Sequence, residues 1–141
     1  MSIFIKAGLW LEKKTGYKGE FNLTKFVENL IATSPSGQSY KVYTALLTQT
    51  GINAPVATVL ENTIGNIVWA RNNTGIYQAV LLGAFTSDKT HLLCGTLQIS
   101  NNSELIFYQL DQDEVILQTS INGFISDDLL SNFSIEIRVY N

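Results

Sequence analysis

Side chains able to do chemistry are few in this sequence, and most of them sit in two acidic turns. Asp111, Asp113 and Glu114 crowd one turn, and Asp127 with Asp128 crowd another. Carboxylates so arranged could hold a calcium ion, or one from each turn could serve as a glycosidase-like acid/base pair. The competing reading is that Asp belongs in tight turns and at helix caps because its side chain accepts hydrogen bonds from nearby backbone N–H groups. That reading is preferred here. Nucleophilic catalysis of the Ser-His-Asp type needs an imidazole, and His91, the only histidine, leads directly into Leu92 and Leu93 on an apolar strand. It reads as a structural residue. No HExxH spacing, glycine-rich dinucleotide fingerprint or phosphate-binding loop appears. The single cysteine, Cys94, excludes an intrachain disulfide and a cysteine zinc cluster, and within HLLCGTLQI it reads as a buried, inert thiol. The expectation is a protein that is not an enzyme, with no catalytic residue, no metal and no cofactor.

The aromatic side chains offer a different chemistry, because flat rings stack on sugars and fill protein interfaces. Trp69, Tyr77 and Tyr108 fall inside strand-like stretches, where a ring fills core or a subunit contact. Trp10 and Tyr17 lie instead in a lysine-rich leader, beside Lys13 and Lys14, and are the better candidates for touching a partner protein. Downstream of them Leu23, Phe26, Val27, Leu30 and Ile31 recur at i, i+3, i+4, i+7 and i+8, one apolar stripe on a helix capped by Asn22 and ended by Ser34-Pro35-Ser36-Gly37. A helix of about ten residues is marginal alone in water, so it must dock on something.

After Gly37 the period becomes two. Tyr40, Val42 and Leu46 alternate with Tyr43, Ala45 and Leu47, and Ile76, Val80 and Leu82 alternate with Tyr77, Ala79 and Leu81. Strands apolar on both faces need cover on both, which places these two in the middle of a layered β structure. Pro55 puts the strand from Val56 to Asn62 at an edge or after a corner. Asn72-Asn73-Thr74-Gly75 joins strands Ile67 to Arg71 and Ile76 to Leu82 as a hairpin loop. Further strands are expected at His91 to Ile99, Glu104 to Leu110 and Val115 to Thr119, then a capped helical turn at Ser126 to Leu130. The last strand puts Phe133, Ile135, Ile137 and Val139 on a core face and Ser134, Glu136, Arg138 and Tyr140 on the other. Seven or eight short strands separated by turn residues predict an all-β fold, an antiparallel β-sandwich or jelly roll with one short N-terminal amphipathic helix. The domains follow: residues 1–37 are an arm and helix serving as an attachment segment, and residues 38–141 are the β domain.

Apolar residues make up 45% of the 141-residue chain and charged ones 15%, against about 25% charged in ordinary soluble domains. A surface so poor in charge is covered by Ser, Thr, Asn and Gln, or in part by another subunit. The net charge of −3 divides unevenly, with five Lys against three Glu in residues 1–30 and four basic against nine acidic side chains in residues 31–141. An acidic body lacks the clustered Lys and Arg that nucleic acid requires. No membrane span is expected, since no run approaches the ~20 apolar residues needed. Met1 to Ala7 has neither an apolar signal core nor a cleavage site, so a soluble product made in a cytoplasm is expected.

Three pieces of the chain, SYKVYTALLTQTGINAPVATVLENTIG, VWARNNTGIY with LLGAFT, and the terminal FSIEIRVYN, resemble a small β-rich domain of structural proteins from bacteriophages and prophages of Bacteroidetes. The resemblance covers about residues 38–141 and brings no catalytic or ligand-binding residue with it. It implies a virion part, a head-fibre, tail or decoration subunit built in the host cytoplasm. Its implied partners are other virion proteins and copies of itself, a trimer being favoured, and a host surface glycan or receptor is the alternative. On that reading the attachment residues would be Trp10, Lys13, Lys14, Tyr17, Leu23, Phe26, Val27 and Leu30.

Overall fold

The structure, a computed structural model, describes residues 24–25, 39–97 and 102–141. The chain divides into two compact units, Met1–Gln38 and Ser39–Asn141. In the first, Thr24 and Lys25 are helical. The rest of the expected helix lies outside the described residues, as do Trp10, Lys13, Lys14, Tyr17, Leu23, Phe26, Val27 and Leu30.

Among the described residues the second unit holds nine strands: β1 (Tyr40–Thr48), β2 (Val56–Asn62), β3 (Val68–Asn73), β4 (Ile76–Val80), β5 (Thr90–Cys94), β6 (Ser103–Gln109), β7 (Glu114–Ile121), the two-residue β8 (Phe124–Ile125) and β9 (Phe133–Tyr140). They form two antiparallel sheets, one in the order β2-β1-β9-β5 and the other β3-β4-β7-β6, with β8 added to β7. Nearly everything is β, as the period-two pattern requires. The two strands that are apolar on both faces, β1 and β4, each lie between two neighbours.

Alternate residues of both sheets enter one core. Tyr43, Ala45 and Leu47 of β1 and Ile135 and Ile137 of β9 join Trp69, Tyr77, Ala79, Val115 and Leu117 of the second sheet in a single buried cluster. The Trp69 Nε1–H donates to the Tyr43 hydroxyl across that core at 3.3 Å, and burial pushes the Tyr43 phenol above its ordinary range. β9 is the most regular contributor, because Phe133, Ile135, Ile137 and Val139 are all buried and the residues between them are not. Trimming Ile137 to valine removes one buried methylene where a neighbour cannot fully collapse, and is expected to cost about 1 kcal/mol in a denaturant titration of the full chain.

Three local expectations are corrected. Residues 126–130 make no helical turn. Asp128 and, beyond it, Asn132 have φ of 62° and 48°, left-handed values that a right-handed helix cannot pass through, while Leu129 and Leu130 turn into the core. The β3–β4 loop is shorter than the four residues expected. Asn72 and Asn73 continue β3 past a bulge, and only Thr74-Gly75 turns. Cys94 is exposed rather than buried, since it closes β5 at the open edge of its sheet.

Candidate functional site

The acidic turns are built into the fold. Between β6 and β7, Asp111 Oδ1 accepts the backbone N–H groups of Asp113 and Glu114 at 2.8 and 2.9 Å, and Asp113 Oδ1 accepts that of Gly83 at 2.6 Å. Between β8 and β9, the Asp127 carboxylate takes both Arg71 Nε (3.1 Å) and a terminal guanidinium nitrogen (2.7 Å), the Gly75 N–H (2.8 Å) and the Tyr77 hydroxyl (2.9 Å). The Arg71 guanidinium holds the Asp127 carboxyl down at about 2. Burial, helped by the facing carboxylate, pushes the Tyr77 phenol far above its ordinary range. Next to it, Asp128 Oδ1 accepts the Gly51 N–H at 2.6 Å and the Asp128 N–H donates to Gln49 Oε1 at 2.8 Å. Gln49, almost fully buried, gives its amide protons to the Gly51 and Asn53 carbonyls. This network ties the β1–β2 loop, the β3–β4 turn and the segment after β8 together, and no buried side-chain polar atom among the described residues is left without a partner.

The two clusters do not converge on a substrate position. Asp113 bonds to Gly83 beyond the end of β4, whereas Asp127 bonds to Gly75 before its beginning, so the five-residue strand separates them by ~17 Å. A glycosidase pair works at about 5 to 9.5 Å. Among the described residues no group of three or more His, Cys, Asp or Glu side chains is placed to hold a metal ion, and no helix is long and apolar enough to cross a membrane. His91 stands exposed on the outside of its sheet, paired across the ladder with Arg138. A surface depression of ≈ 600 Å³, lined by Gly95, Leu97, Leu129 and Phe133 among others, has no ionisable side chain among the described residues of its lining.

What distinguishes the two sheets is their outer faces. On the β2-β1-β9-β5 sheet the outward rows carry Glu61 and Glu136 across from Thr44, and Arg138 beside His91. Arg138 is ion-paired with Glu136 and lies 4.9 Å from the centre of the Tyr40 ring, which in turn packs on Tyr140 at 5.1 Å. This face carries charge in its middle rows, with Val42, Leu46 and the exposed Leu93 between the charged groups. On the β3-β4-β7-β6 sheet the outward rows read Ala70, Gln78, Ile116, Tyr108 and then Ile76, Gln118, Ile106, with Val68 and Val80 in the next row. Val68 is 57% exposed, Ile106 52% and Tyr108 41%. Charge enters only at the two ends of this face, as Glu104 and Glu114.

That face is the candidate functional surface. The sequence flagged half of it, because β4 reads as needing cover twice. Trp69 and Tyr77 fill the core as expected, but Tyr108 does not. The alternation of β6, in which Leu105 and Phe107 turn inward and Ile106 and Tyr108 outward, was the signal for the other half.

An all-β domain of two antiparallel sheets is therefore the class to which the chain belongs. No protein family, curated protein or solved structure matches its sequence or fold.

Proposed function

We propose that this chain is a non-enzymatic structural subunit of a bacteriophage virion, a head-fibre, tail or decoration protein. Its β domain serves as an assembly module, and its leader, residues 1–37, is the attachment segment. The observation that supports the assembly role is the outer face of the β3-β4-β7-β6 sheet, whose middle rows hold no charge and which exposes Val68, Ile106 and Tyr108. The phage setting rests on the three sequence blocks quoted above. The finer architecture is a β-sandwich of jelly-roll type, supported by the shared core and by the adjacency of the first and last strands, β1 and β9, inside one sheet. The working form is a homo-oligomer, a trimer by analogy with viral appendages, residing in the virion with other virion proteins as partners and no nucleic acid or membrane. Deleting residues 1–33 is expected to abolish incorporation into particles while the truncated chain keeps its β circular dichroism. Particles that retain the truncated protein would overturn the attachment role.

A second reading, binding of a host surface glycan or receptor, is favoured by one observation. Tyr108 presents a ring beside Ile116, with the Gln78 amide in the same row, and an aromatic plane flanked by an amide is a common way to hold a sugar. A glycan array with the full chain separates the two, since saturable binding lost in Tyr108→Ala supports the second reading.

A further inference from the structure

We infer that the Asn122-Gly123 turn is a site of spontaneous covalent modification, at which the chain converts an asparagine into aspartate or isoaspartate. The inference is independent of the assembly reading and concerns a different part of the domain, the hairpin between β7 and β8.

The chemistry is fastest where an asparagine is followed by a residue without a side chain. The backbone nitrogen of that residue attacks the asparagine Cγ, and a new C–N bond forms as the Cγ–Nδ2 bond breaks. The backbone amide proton goes to the departing nitrogen, which leaves as ammonia, and a five-membered succinimide remains. Water then adds to either of the two ring carbonyls and opens the ring. One route gives aspartate, the other isoaspartate with the main chain rerouted through the side-chain carbon. Water is the only co-reactant. Among the twelve asparagines of the chain, Asn122 alone precedes a glycine.

The structure supplies the other conditions of the step. Asn122 and Gly123 are exposed, and nothing lies within 4 Å of where a Gly123 Cβ would be, so neither the attacking nitrogen nor water is shielded. The Gly123 N–H makes no hydrogen bond among the described residues, which leaves the nucleophile uncommitted. The electrophile is polarised. Asn102 Nδ2 donates to Asn122 Oδ1 at 2.8 Å, the oxygen on which charge develops as the nitrogen attacks.

The turn sets the pace. With φ of 52° at Asn122 and 79° at Gly123, between the paired residues Ile121 and Phe124, the two residues form a type I′ turn. The first residue of such a turn has ψ of about 30°, which keeps the Asn122 Cβ on the far side of its Cα–C bond from the Gly123 nitrogen. Attack therefore waits for rotation about that bond, and the rotation opens the turn. Little resists it. β8 has two residues, pairs with β7 alone among the described strands, and exposes both Phe124 and Ile125. The Asn122 N–H, bonded to the Asn102 carbonyl at 2.9 Å, anchors the near side of the turn but not the bond that rotates. Either product adds a carboxylate to the depression that Asn122 and Gly123 share with Asn102 and Glu104.

Incubating the full chain over weeks at body temperature and mildly alkaline pH, then sequencing the tryptic peptide of residues 90–138 by mass spectrometry, tests this. The expected result is the small mass gain of amide-to-acid exchange at Asn122, ahead of Asn101, Asn102 and Asn132 in the same peptide. No gain in that peptide, or a gain that reaches one of the other three first, overturns the site. Asn122→Gln, which would have to close a slower six-membered ring, is expected to show no gain at that position, and an undiminished gain in the variant's peptide also overturns it. The wild-type map decides even where the variant does not fold. Incubated in guanidinium instead, the full chain is expected to react about tenfold faster or more, because no turn has to open first. Equal rates in the folded and unfolded chain would overturn the control by the turn.

Discussion

Replacing Gly75 with alanine is expected to lower the unfolding free energy of the full chain by about 3 kcal/mol or more. Gly75 turns β3 into β4 with φ of 58°, where an alanine is strained by about 1 kcal/mol. The larger cost comes from space. A Cβ there would lie 2.7 Å from the Ser126 carbonyl oxygen, 2.7 Å from that of Thr119 and 2.7 Å from a methyl of Ile125. Two of these are backbone atoms that cannot swing aside, Thr119 lying within β7 and the Ser126 carbonyl being held by the Thr119 hydroxyl at 2.7 Å. The Gly75 N–H that reaches Asp127 and the Gly75 carbonyl that accepts the Thr119 N–H would both be displaced. Gly51 is the control, with a similar φ of 59° and nothing within 4 Å of its would-be Cβ. Gly51→Ala should cost only about 1 kcal/mol. Guanidinium titrations of both variants decide, and equal losses would mean that the β3–β4 turn does not sit against the segment after β8.

Asp127→Ala is expected to cost about 2 to 3 kcal/mol, because it leaves the Arg71 guanidinium and the Gly75 N–H short of an acceptor in a place water reaches poorly, while the Tyr77 hydroxyl keeps Gln49 Oε1 at 2.9 Å. The same carboxylate makes stability depend on acid. Its pKa is about 2 in the folded chain against an ordinary 3.8, so the unfolded chain takes up the proton first. The contribution is present in full above about pH 4 and disappears as pH falls toward 2. With the Asp127 side chain 14% exposed, solvent screening leaves about 1 to 2 kcal/mol of this linkage. Asp127→Asn keeps the shape and removes the titration, so its stability should fall less steeply than that of the wild type between pH 4 and pH 2. Parallel acid profiles for the two proteins would refute the assignment.

Local pattern carried most of the fold. Of the two places Pro55 allows the strand that follows it, an edge or after a corner, β2 takes the edge, and the Asn72 to Gly75 stretch does reverse the chain into β4, though through Thr74-Gly75 alone. Where pattern failed, a distant partner had overruled it. Ser126-Asp127-Asp128 has the residue types of a helix cap, but the Asp127 carboxylate reaches Gly75, 52 positions earlier in the chain, and Asp128 reaches Gly51, 77 positions earlier. No local rule contains such contacts. Cys94 lies among apolar neighbours in sequence and ends at an open sheet edge in space.

Alternation along the strands determined by itself that this chain is β-rich, and it determined which face of β9 is core, because side chains on a strand point to opposite sides whatever the strand packs against. Only the tertiary structure decided that the acidic turns lie at opposite ends of β4, and that of the two outer faces one carries charge in its middle rows and the other only at its ends. Those facts depend on which strands become neighbours. Ile116 lies between Gln78 and Tyr108, residues far apart in the chain, and one-dimensional order does not encode that adjacency.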